Sequence, residues 1–168
     1  MITTYHRPST LDEALALLSQ PNTVPLGGGT LLSQPTTDPV SVVDLQRLGL
    51  DSLRVNGNEL QIGATCTLQV LLEAVECPEA LQTAIKLEAP INIRNSATVA
   101  GTLVSSDGRS TFATALLSLD AKITVVSGQS SVVSVGEYIL THPRGLITAI
   151  TIPTNTKFAF EFVSKTPA

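Results

Sequence analysis

The sequence predicts an α+β fold of two subdomains, the first over residues 1–51 and the second over residues 52–168. A helix and two short strands within the first 51 residues are typical of a small parallel α/β unit. Helices followed by several strand-like runs toward the C-terminus predict a mixed or antiparallel sheet that carries helices. With 168 residues, the chain is long enough to bury a sizeable core.

The first subdomain begins with an amphipathic helix, "STLDEALALLS". Ser9 or Thr10 can cap its N-terminus, and Glu13 completes a capping box with Thr10. Two predicted strands follow, "TVPLGG" and "PVSVVDL", and the second is rich in the β-branched residues that favour strands. These elements form the predicted parallel unit.

The second subdomain alternates predicted helices and strands. The helices are "TCTLQVLLEAV", capped by Thr65 or Thr67, "PEALQTAIKLEA", with Pro78 in a favourable first-turn position, and "STFATALLSLDA". The strands are "ELQIGA", "KITVVS", "SSVVSV", "LITAITIP" and "KFAFEFVSK", with turns at Gly128–Gln129 and Pro143–Gly145.

Composition narrows the possible functions. Hydrophobic residues make up 43% of the chain and charged residues 14%, which favours extensive burial, including burial against partner chains. The net charge of −4 and the lack of a basic cluster argue against a nucleic-acid partner. No run reaches the roughly 18 apolar residues of a membrane span, and "MITTYHRPST" lacks the apolar region of a signal peptide. We therefore expect a cytoplasmic protein without a membrane span.

No group of side chains in the sequence predicts catalysis or metal binding. Cys66 and Cys77 lack the CxxC spacing of a metal site, and His6 and His142 stand alone. Neither a nucleophilic triad nor a persuasive pair of carboxylates is present. We expect no catalytic residue and no metal ligand in this chain, so its chemistry would come from a bound cofactor.

Three consecutive glycines, Gly27–Gly29, follow a predicted strand in "VPLGGGTLL". Their spacing matches neither the GxxxxGK[ST] loop nor the GxGxxG fingerprint. Two interpretations remain open. The glycines form a tight turn, or they form a concavity whose backbone N–H groups bind an anion such as phosphate, with Thr30 adding a hydroxyl.

A second stretch of small residues, "INIRNSATVAGTL", precedes a helix rich in alanine and leucine. Within it, Thr98 and Thr102 flank Ala100 and Gly101, so hydroxyls again accompany small side chains. Two separated small-residue loops suit a ligand with two phosphates that lies between two subdomains. The residues therefore suggest a dinucleotide as one hypothesis.

Several stretches occur in the order and spacing of a known family. "LGGGTLL", "IGATCTLQVLLEA", "INIRNSATVAGTL" and "LLSLDAKITVVSG" resemble the FAD-binding module of the molybdenum hydroxylases, found in xanthine dehydrogenase and in the carbon monoxide dehydrogenase medium subunit. "GLITAITIP" and "FEFVSKTPA" resemble the final strands of that module, so the resemblance covers essentially the whole chain. It implies a vanillyl-alcohol-oxidase-like fold and a non-covalent FAD that transfers electrons. It also implies partner subunits that carry the molybdopterin and the iron–sulfur clusters.

The resemblance also implies which residues contact the cofactor. Backbone N–H groups and hydroxyls of the two loops would hold the diphosphate. On physical grounds, a Cβ at Gly27 or Gly28 would either clash or forbid a positive φ. The first loop supplies Val24, Pro25, Leu26, Gly27, Gly28, Gly29, Thr30 and Leu31, and the second supplies Thr98, Val99, Ala100, Gly101 and Thr102. Further positions are Ile62, Asp107, Thr111 and Leu146, with Ile147 beside Leu146 near the flavin.

The sequence departs from the family at several positions. Ala100 replaces a preferred glycine, Thr102 replaces Asn or Asp, and Thr111 replaces an Asp for which Asp107 is the nearest substitute. Glu161 stands where the family often has Lys or Arg. We also expect the family's usual C-terminal domain to be lacking. An alternative is therefore a degenerate paralogue that binds no FAD and serves as an interaction or scaffold subunit.

Overall fold

The structure is a computed structural model that describes residues 1–32 and 38–163. Within these residues the strands form two sheets, one of three strands in the order β1-β3-β2 and one of five strands in the order β4-β5-β8-β6-β7. The mixture of helices with one parallel and one antiparallel sheet confirms the predicted α+β class.

The three-stranded sheet is parallel throughout. Its strands are β1 (Ile2–His6), β2 (Thr23–Leu26) and β3 (Val40–Asp44), and helix α1 (Leu11–Leu18) lies between the first two in the sequence. Thr10 caps this helix by accepting a hydrogen bond from the Glu13 N–H, as predicted. The Glu13 carboxylate accepts from the N–H of Ser9, so the reciprocal bond of the capping box is shifted by one residue.

The five-stranded sheet is antiparallel, and six helices accompany it. Its strands are β4 (Leu53–Asn56), β5 (Glu59–Gly63), β6 (Lys122–Ser127), β7 (Gln129–Ser134) and β8 (Leu146–Pro153). The helices are α2 (Leu68–Glu73), α3 (Glu79–Glu88), α4 (Ile91–Arg94), α5 (Val99–Val104), α6 (Thr111–Ser118) and α7 (Val135–Thr141). Among the helices of the described ranges, none has the length and apolar character needed to cross a membrane.

Two apolar clusters form the core. The larger joins the five-stranded sheet to its helices and includes Phe112, Leu116 and Ile150, all fully buried. The smaller joins α1 to the parallel sheet and includes Val43 and Leu146. Because Leu146 belongs to β8, the first residue of the central antiparallel strand packs into the core of the parallel unit.

Several elements differ from the sequence prediction. Thr67, not Thr65, caps α2 through a bond from the Val70 N–H. The sequence analysis did not predict β1, β4, α4, α5 or α7. Each of these is short, so its stability depends on tertiary packing more than on a local periodic pattern.

The predicted strand "KFAFEFVSK" is wrong for its described part, because residues 157–163 pair with no strand of the described chain. Phe158 and Phe160 instead pack against the larger core from an irregular backbone. Alternating aromatics report which side of an extended segment is buried, but a strand also needs a hydrogen-bonding neighbour. The last two residues of this stretch lie outside the described residues.

Both cysteines are buried thiols. Cys66 is 1% exposed and Cys77 is 4% exposed. Burial raises the pKa of Cys66 to about 11, with a smaller contribution from Asp51, and burial raises the pKa of Cys77 to about 12. The folded state therefore retains these two protons at a pH where the unfolded chain, with thiol pKa values near 9.0, releases them.

We expect the free energy of unfolding to fall as the pH rises from about 9 toward 11. The sign follows from linkage, because stability decreases with pH wherever the folded state binds more protons than the unfolded state. Urea unfolding at several pH values measures this slope. The Cys66→Ala/Cys77→Ala double variant should show a shallower slope over the same interval, even if it is less stable at neutral pH. Equal slopes in the two proteins would contradict the assignment to the thiols.

Candidate functional site

The first glycine segment leaves the C-terminal end of β2. The last residue of that strand, Leu26, accepts a hydrogen bond from the Leu45 N–H at 3.1 Å. Beyond it, the N–H groups of Gly27, Gly28 and Gly29 donate to no acceptor within the described residues. Gly29 alone of the three has a positive φ, 72°, so of the two reasons expected for a glycine at positions 27 and 28, a clash or a positive φ, only the clash applies.

Close contact with the second small-residue stretch explains the glycines at positions 27 and 28. A Cβ on Gly28 would stand 1.7 Å from the Ser96 carbonyl oxygen. A Cβ on Gly27 would stand 2.8 Å from the Thr98 Oγ1 atom. The two glycines are therefore needed so that the segments can pack against each other, whether or not a ligand is bound.

The second stretch is not a loop but the start of helix α5, capped by Thr98. The Val99 N–H donates to Cys66 O at 2.9 Å, and the Ala100 N–H donates to Ala64 O at 3.2 Å. The Gly101 N–H donates to Thr98 Oγ1 at 3.2 Å, and both the N–H and the hydroxyl of Thr102 donate to Thr98 O. These donors already have acceptors inside the protein in this conformation, so the role expected for the second segment in holding a diphosphate stays a prediction.

A cavity of about 400 Å³ lies between the two segments, and we call it the interloop cavity. None of its lining residues carries a charged side chain. Of the predicted cofactor residues, it is lined by Val24, Pro25, Gly27, Gly28, Gly29, Thr30, Leu31, Thr98, Ala100, Gly101 and Leu146, together with Ile147. The structure therefore brings most of the predicted residues together around one space.

The other predicted residues lie elsewhere. Ile62 and Val99 are fully buried in the larger core, so their side chains face no cavity. Ile62 is on β5 opposite Ile150 of β8, and the alternation of that strand directs it into the core. Leu26 ends β2 and does not line the interloop cavity.

Thr102, Asp107 and Thr111 line a separate polar cavity of about 310 Å³. The Asp107 carboxylate accepts from the Arg109 N–H and pairs with its guanidinium at 2.7 Å. This pairing holds the pKa of the exposed Asp107 below its ordinary value. Asp107 is therefore a turn residue bonded to its neighbour, and it does not reach the interloop cavity.

Glu88 is a residue of the polar cavity that the sequence analysis did not single out. Its Oε2 atom accepts from the Phe112 N–H at 2.9 Å and from the hydroxyls of Ser110 and Thr111 at 3.0 Å. A carboxylate is favourable here because the first N–H groups of helix α6 have no intrahelical acceptor. Thr111 is thus held by Glu88 and by the Ala84 carbonyl. No local pattern predicts this contact, which joins two helices that are distant in sequence.

A third cavity, of about 650 Å³, lies beside Gly27 and Gly28 and is lined by polar side chains that include Arg7 and Asn95. Arg7 Nε lies 3.2 Å from Oδ2 of Asp44, whose side chain is 3% exposed. Asp44 also accepts from the Tyr5 hydroxyl and from the Gln46 N–H. The hydrogen bond to Asp44 raises the pKa of Tyr5. A buried carboxylate thus fixes the one cationic side chain that lines this cavity.

Further residues of the interloop cavity were missed by the sequence analysis. Two of them extend the segments already described and the others come from four further parts of the fold: Leu32, Leu45, Ala64, Thr65, Val104, Tyr138 and Gly145. Only Gly145 carried a local signal, as part of the predicted turn before β8. Tyr138 lies on α7, a helix that the apolar pattern did not predict.

The two sheets meet beside an apolar cavity that glycines line, a setting that suits a small-molecule or cofactor-binding domain. This chain belongs to the family described as the FAD binding domain in molybdopterin dehydrogenase, which it matches over residues 1–155. The predicted family and its cofactor, FAD, are therefore confirmed. The boundary near Asp51, the individual cofactor residues and the cytoplasmic location stay predictions.

The chain is also similar to known proteins in sequence or in structure. The uncharacterised protein YgfM of Escherichia coli strain K12 is 33% identical over 156 residues, which cover 90% of this chain and 60% of YgfM. A chain of Cu,Mo-CO dehydrogenase in its cyanide-inactivated form superposes with a TM-score of 0.83 at 26% identity, over 91% of this chain and 59% of that one. Quinoline 2-oxidoreductase from Pseudomonas putida 86 shares the fold, with a TM-score of 0.81 at 20% identity, over 90% of this chain and 59% of that one. The chain thus spans about 60% of the length of these relatives.

Proposed function

We propose that this chain binds FAD non-covalently in the interloop cavity and serves as the electron-transfer component of a molybdenum-hydroxylase-type oxidoreductase. The observation that carries the proposal is the row of N–H groups on Gly27, Gly28 and Gly29 beside an apolar cavity. Three successive backbone donors without a described protein acceptor form a concavity suited to an anion. A phosphate of the cofactor is the anion that the family assignment supplies.

The apolar walls of the interloop cavity fit the ring system of FAD. Leu146, Ile147 and Val104 present aliphatic surface, which stabilises a bound ring system by removing it from water. Arg7, paired with Asp44, lines the cavity on the other side of Gly27 and Gly28, where its guanidinium is a further hydrogen-bond donor. When bound, FAD would supply the redox chemistry. The described residues would bind and orient it and would exclude water from the cavity.

Partner chains are part of the proposal. The described residues contain no group of three or more His, Cys, Asp or Glu side chains placed to hold a metal ion. The whole chain has two cysteines, fewer than the four thiolates that an iron–sulfur cluster ordinarily uses. We therefore infer that molybdopterin and iron–sulfur clusters are carried by other subunits of the same complex. The reducing substrate and final acceptor would be determined by those subunits.

The interaction or scaffold subunit is the second candidate, and the second small-residue segment favours it. Its N–H groups donate to Thr98, Cys66 and Ala64, so they offer nothing to a phosphate in this conformation. Thr111 is likewise engaged with Glu88. A chain that had lost FAD would keep its fold through these internal bonds.

Titration separates the two candidates. FAD, ADP-ribose and AMP are added to the full chain, with flavin fluorescence followed for FAD and calorimetry for the other two. We expect FAD to bind in a one-to-one complex, because the N–H row and the apolar walls contact different parts of it. A chain that binds none of the three ligands is the scaffold subunit, and the FAD proposal then fails.

A matched pair of variants at Gly29 tests the N–H row. We expect Gly29→Val to weaken FAD binding by roughly one to two decades, because a β-branched residue at a φ of 72° costs about 1–3 kcal/mol. The chain without FAD can relieve this strain by moving the segment. FAD binding requires the segment to return to its strained conformation, so the strain energy lowers the affinity. Gly29→Asn adds a Cβ at the same place but tolerates this φ, so it should bind nearly as the parent does.

Asp107→Ala is the control outside the interloop cavity and should leave the affinity unchanged. Circular dichroism checks that each variant is folded. If Gly29→Val is folded and binds FAD as tightly as Gly29→Asn does, the glycine segment does not hold the cofactor.

A further inference from the structure

Tyr138 brings a polar group to the otherwise weakly polar wall of the interloop cavity. It lies on α7, and only 8% of the residue is exposed. Of the three cavities described above, it lines the interloop cavity alone. Its ring packs edge-on against His142, with the ring centroids 6.1 Å apart. The ring is therefore fixed by packing in the wall of the cavity.

The hydroxyl of Tyr138 makes no hydrogen bond within the described residues. The chain's other tyrosine is different, since the Tyr5 hydroxyl donates to Asp44. Buried tyrosine hydroxyls usually find a partner, because leaving one without an acceptor costs free energy. No described side chain holds a fully sealed polar atom without a partner, so the Tyr138 hydroxyl keeps contact with open space. Tyr138 lines the interloop cavity, which is the space that we assign to its hydroxyl.

We propose that the Tyr138 hydroxyl is a binding group of the interloop cavity and donates a hydrogen bond to an acceptor atom of the ring system bound there. This inference rests on the proposed function and adds a residue to it. The glycine N–H groups recognise the anionic part of the ligand, and Tyr138 recognises a carbonyl oxygen or ring nitrogen of its heteroaromatic part. The hydroxyl orients the ring and takes no part in proton or electron transfer.

The chemistry of the surroundings supports a donor at this position. Burial raises the pKa of Tyr138, so the phenol stays protonated at neutral pH. No charged side chain among the described residues lines the cavity and competes for the hydroxyl. Together with the threonines that also line the cavity, a donor at this place fixes the orientation of a planar ligand that apolar contacts alone would leave free to rotate or slide.

The first test compares Tyr138→Phe with the parent in FAD titration and in the visible spectrum of the bound flavin. We expect about 3- to 10-fold weaker binding, the effect of losing one hydrogen bond, and a shifted flavin absorption band. Thr141→Ala removes a hydroxyl from the same helix, where it bonds to Glu137 O outside the cavity, and should change neither. Equal affinity and an identical spectrum in Tyr138→Phe overturn the proposal.

A second measurement, carbon-13 NMR of the tyrosines, uses the parent chain without a substitution in the interloop cavity. The chain has two tyrosines, so carbon-13 labelling at the tyrosine Cζ gives two signals, and Tyr5→Phe assigns them. Saturation of the parent with FAD should move the Tyr138 signal more than the Tyr5 signal. An unmoved Tyr138 signal in a flavin-loaded chain overturns this inference alone. A parent chain that binds no FAD overturns the proposed function and this inference together.

Discussion

Gly28→Ala is expected to destabilise the folded chain by about 3 kcal/mol or more, near the upper end of the usual cost of overpacking. The added Cβ would stand 1.7 Å from the Ser96 carbonyl oxygen, so backbone, not a flexible side chain, has to move. Moving it separates the first glycine segment from the residues that precede Thr98. Urea unfolding followed by circular dichroism gives the change in free energy.

Gly108→Ala provides the matched control, since a Cβ there meets nothing within 4 Å. It should leave the unfolding midpoint close to that of the parent. The comparison also explains why a larger side chain at Gly28 is a poor test of cofactor binding, since the fold is lost first. A Gly28→Ala chain as stable as Gly108→Ala would show that the two segments do not pack as described.

Asp44→Asn is expected to cost about 2–4 kcal/mol of stability, in the range for breaking buried, charge-assisted hydrogen bonds. The carboxylate accepts from Tyr5 and from the Gln46 N–H, and it pairs with Arg7 at 3.2 Å. The asparagine Nδ2 is a hydrogen-bond donor. It would replace one carboxylate oxygen of Asp44 and face a group that itself donates to that oxygen. The free energy of unfolding again measures the loss.

A double-mutant cycle with Arg7→Gln separates the ion pair from the other bonds of Asp44. Arg7 is partly exposed, with 43% of its side chain accessible, so solvent screens the pair and the coupling should be the smaller share. If the coupling energy between Asp44 and Arg7 equalled the whole loss of stability in Asp44→Asn, the hydrogen bonds from Tyr5 and Gln46 would contribute nothing. An Asp44→Asn chain with the midpoint of the parent would contradict the role of this buried carboxylate altogether.

The sequence predicted those elements whose position depends on hydrogen bonds between residues close in the chain. Thr10 and the acidic first turn of α1 predicted its start, because a cap satisfies N–H groups within three residues. The β-branched run of β8 likewise predicted a strand. The family resemblance added the cofactor, and most of the residues it implied line one cavity.

Contacts between distant segments could not be predicted in this way. The sequence shows small residues around Gly101, but it does not show that the Ala64 and Cys66 carbonyls accept from α5 and make it a helix start. Nor does it show that Ser96 requires the glycine at position 28. The same holds for Glu88 and Tyr138. Glu88 contacts the start of α6, and Tyr138 lines a cavity formed with segments distant in sequence.

The order of strands in the antiparallel sheet also governs how the chain can fold during synthesis. Two hairpins, β4–β5 and β6–β7, can close as soon as each leaves the ribosome, because their partners are adjacent in sequence. The strand between them, β8, is made after every other strand of the described residues. Until it emerges, each hairpin exposes an unpaired inner edge that can join another nascent chain. Synthesis of residues 146–153 is therefore the step that ends the period of greatest aggregation risk.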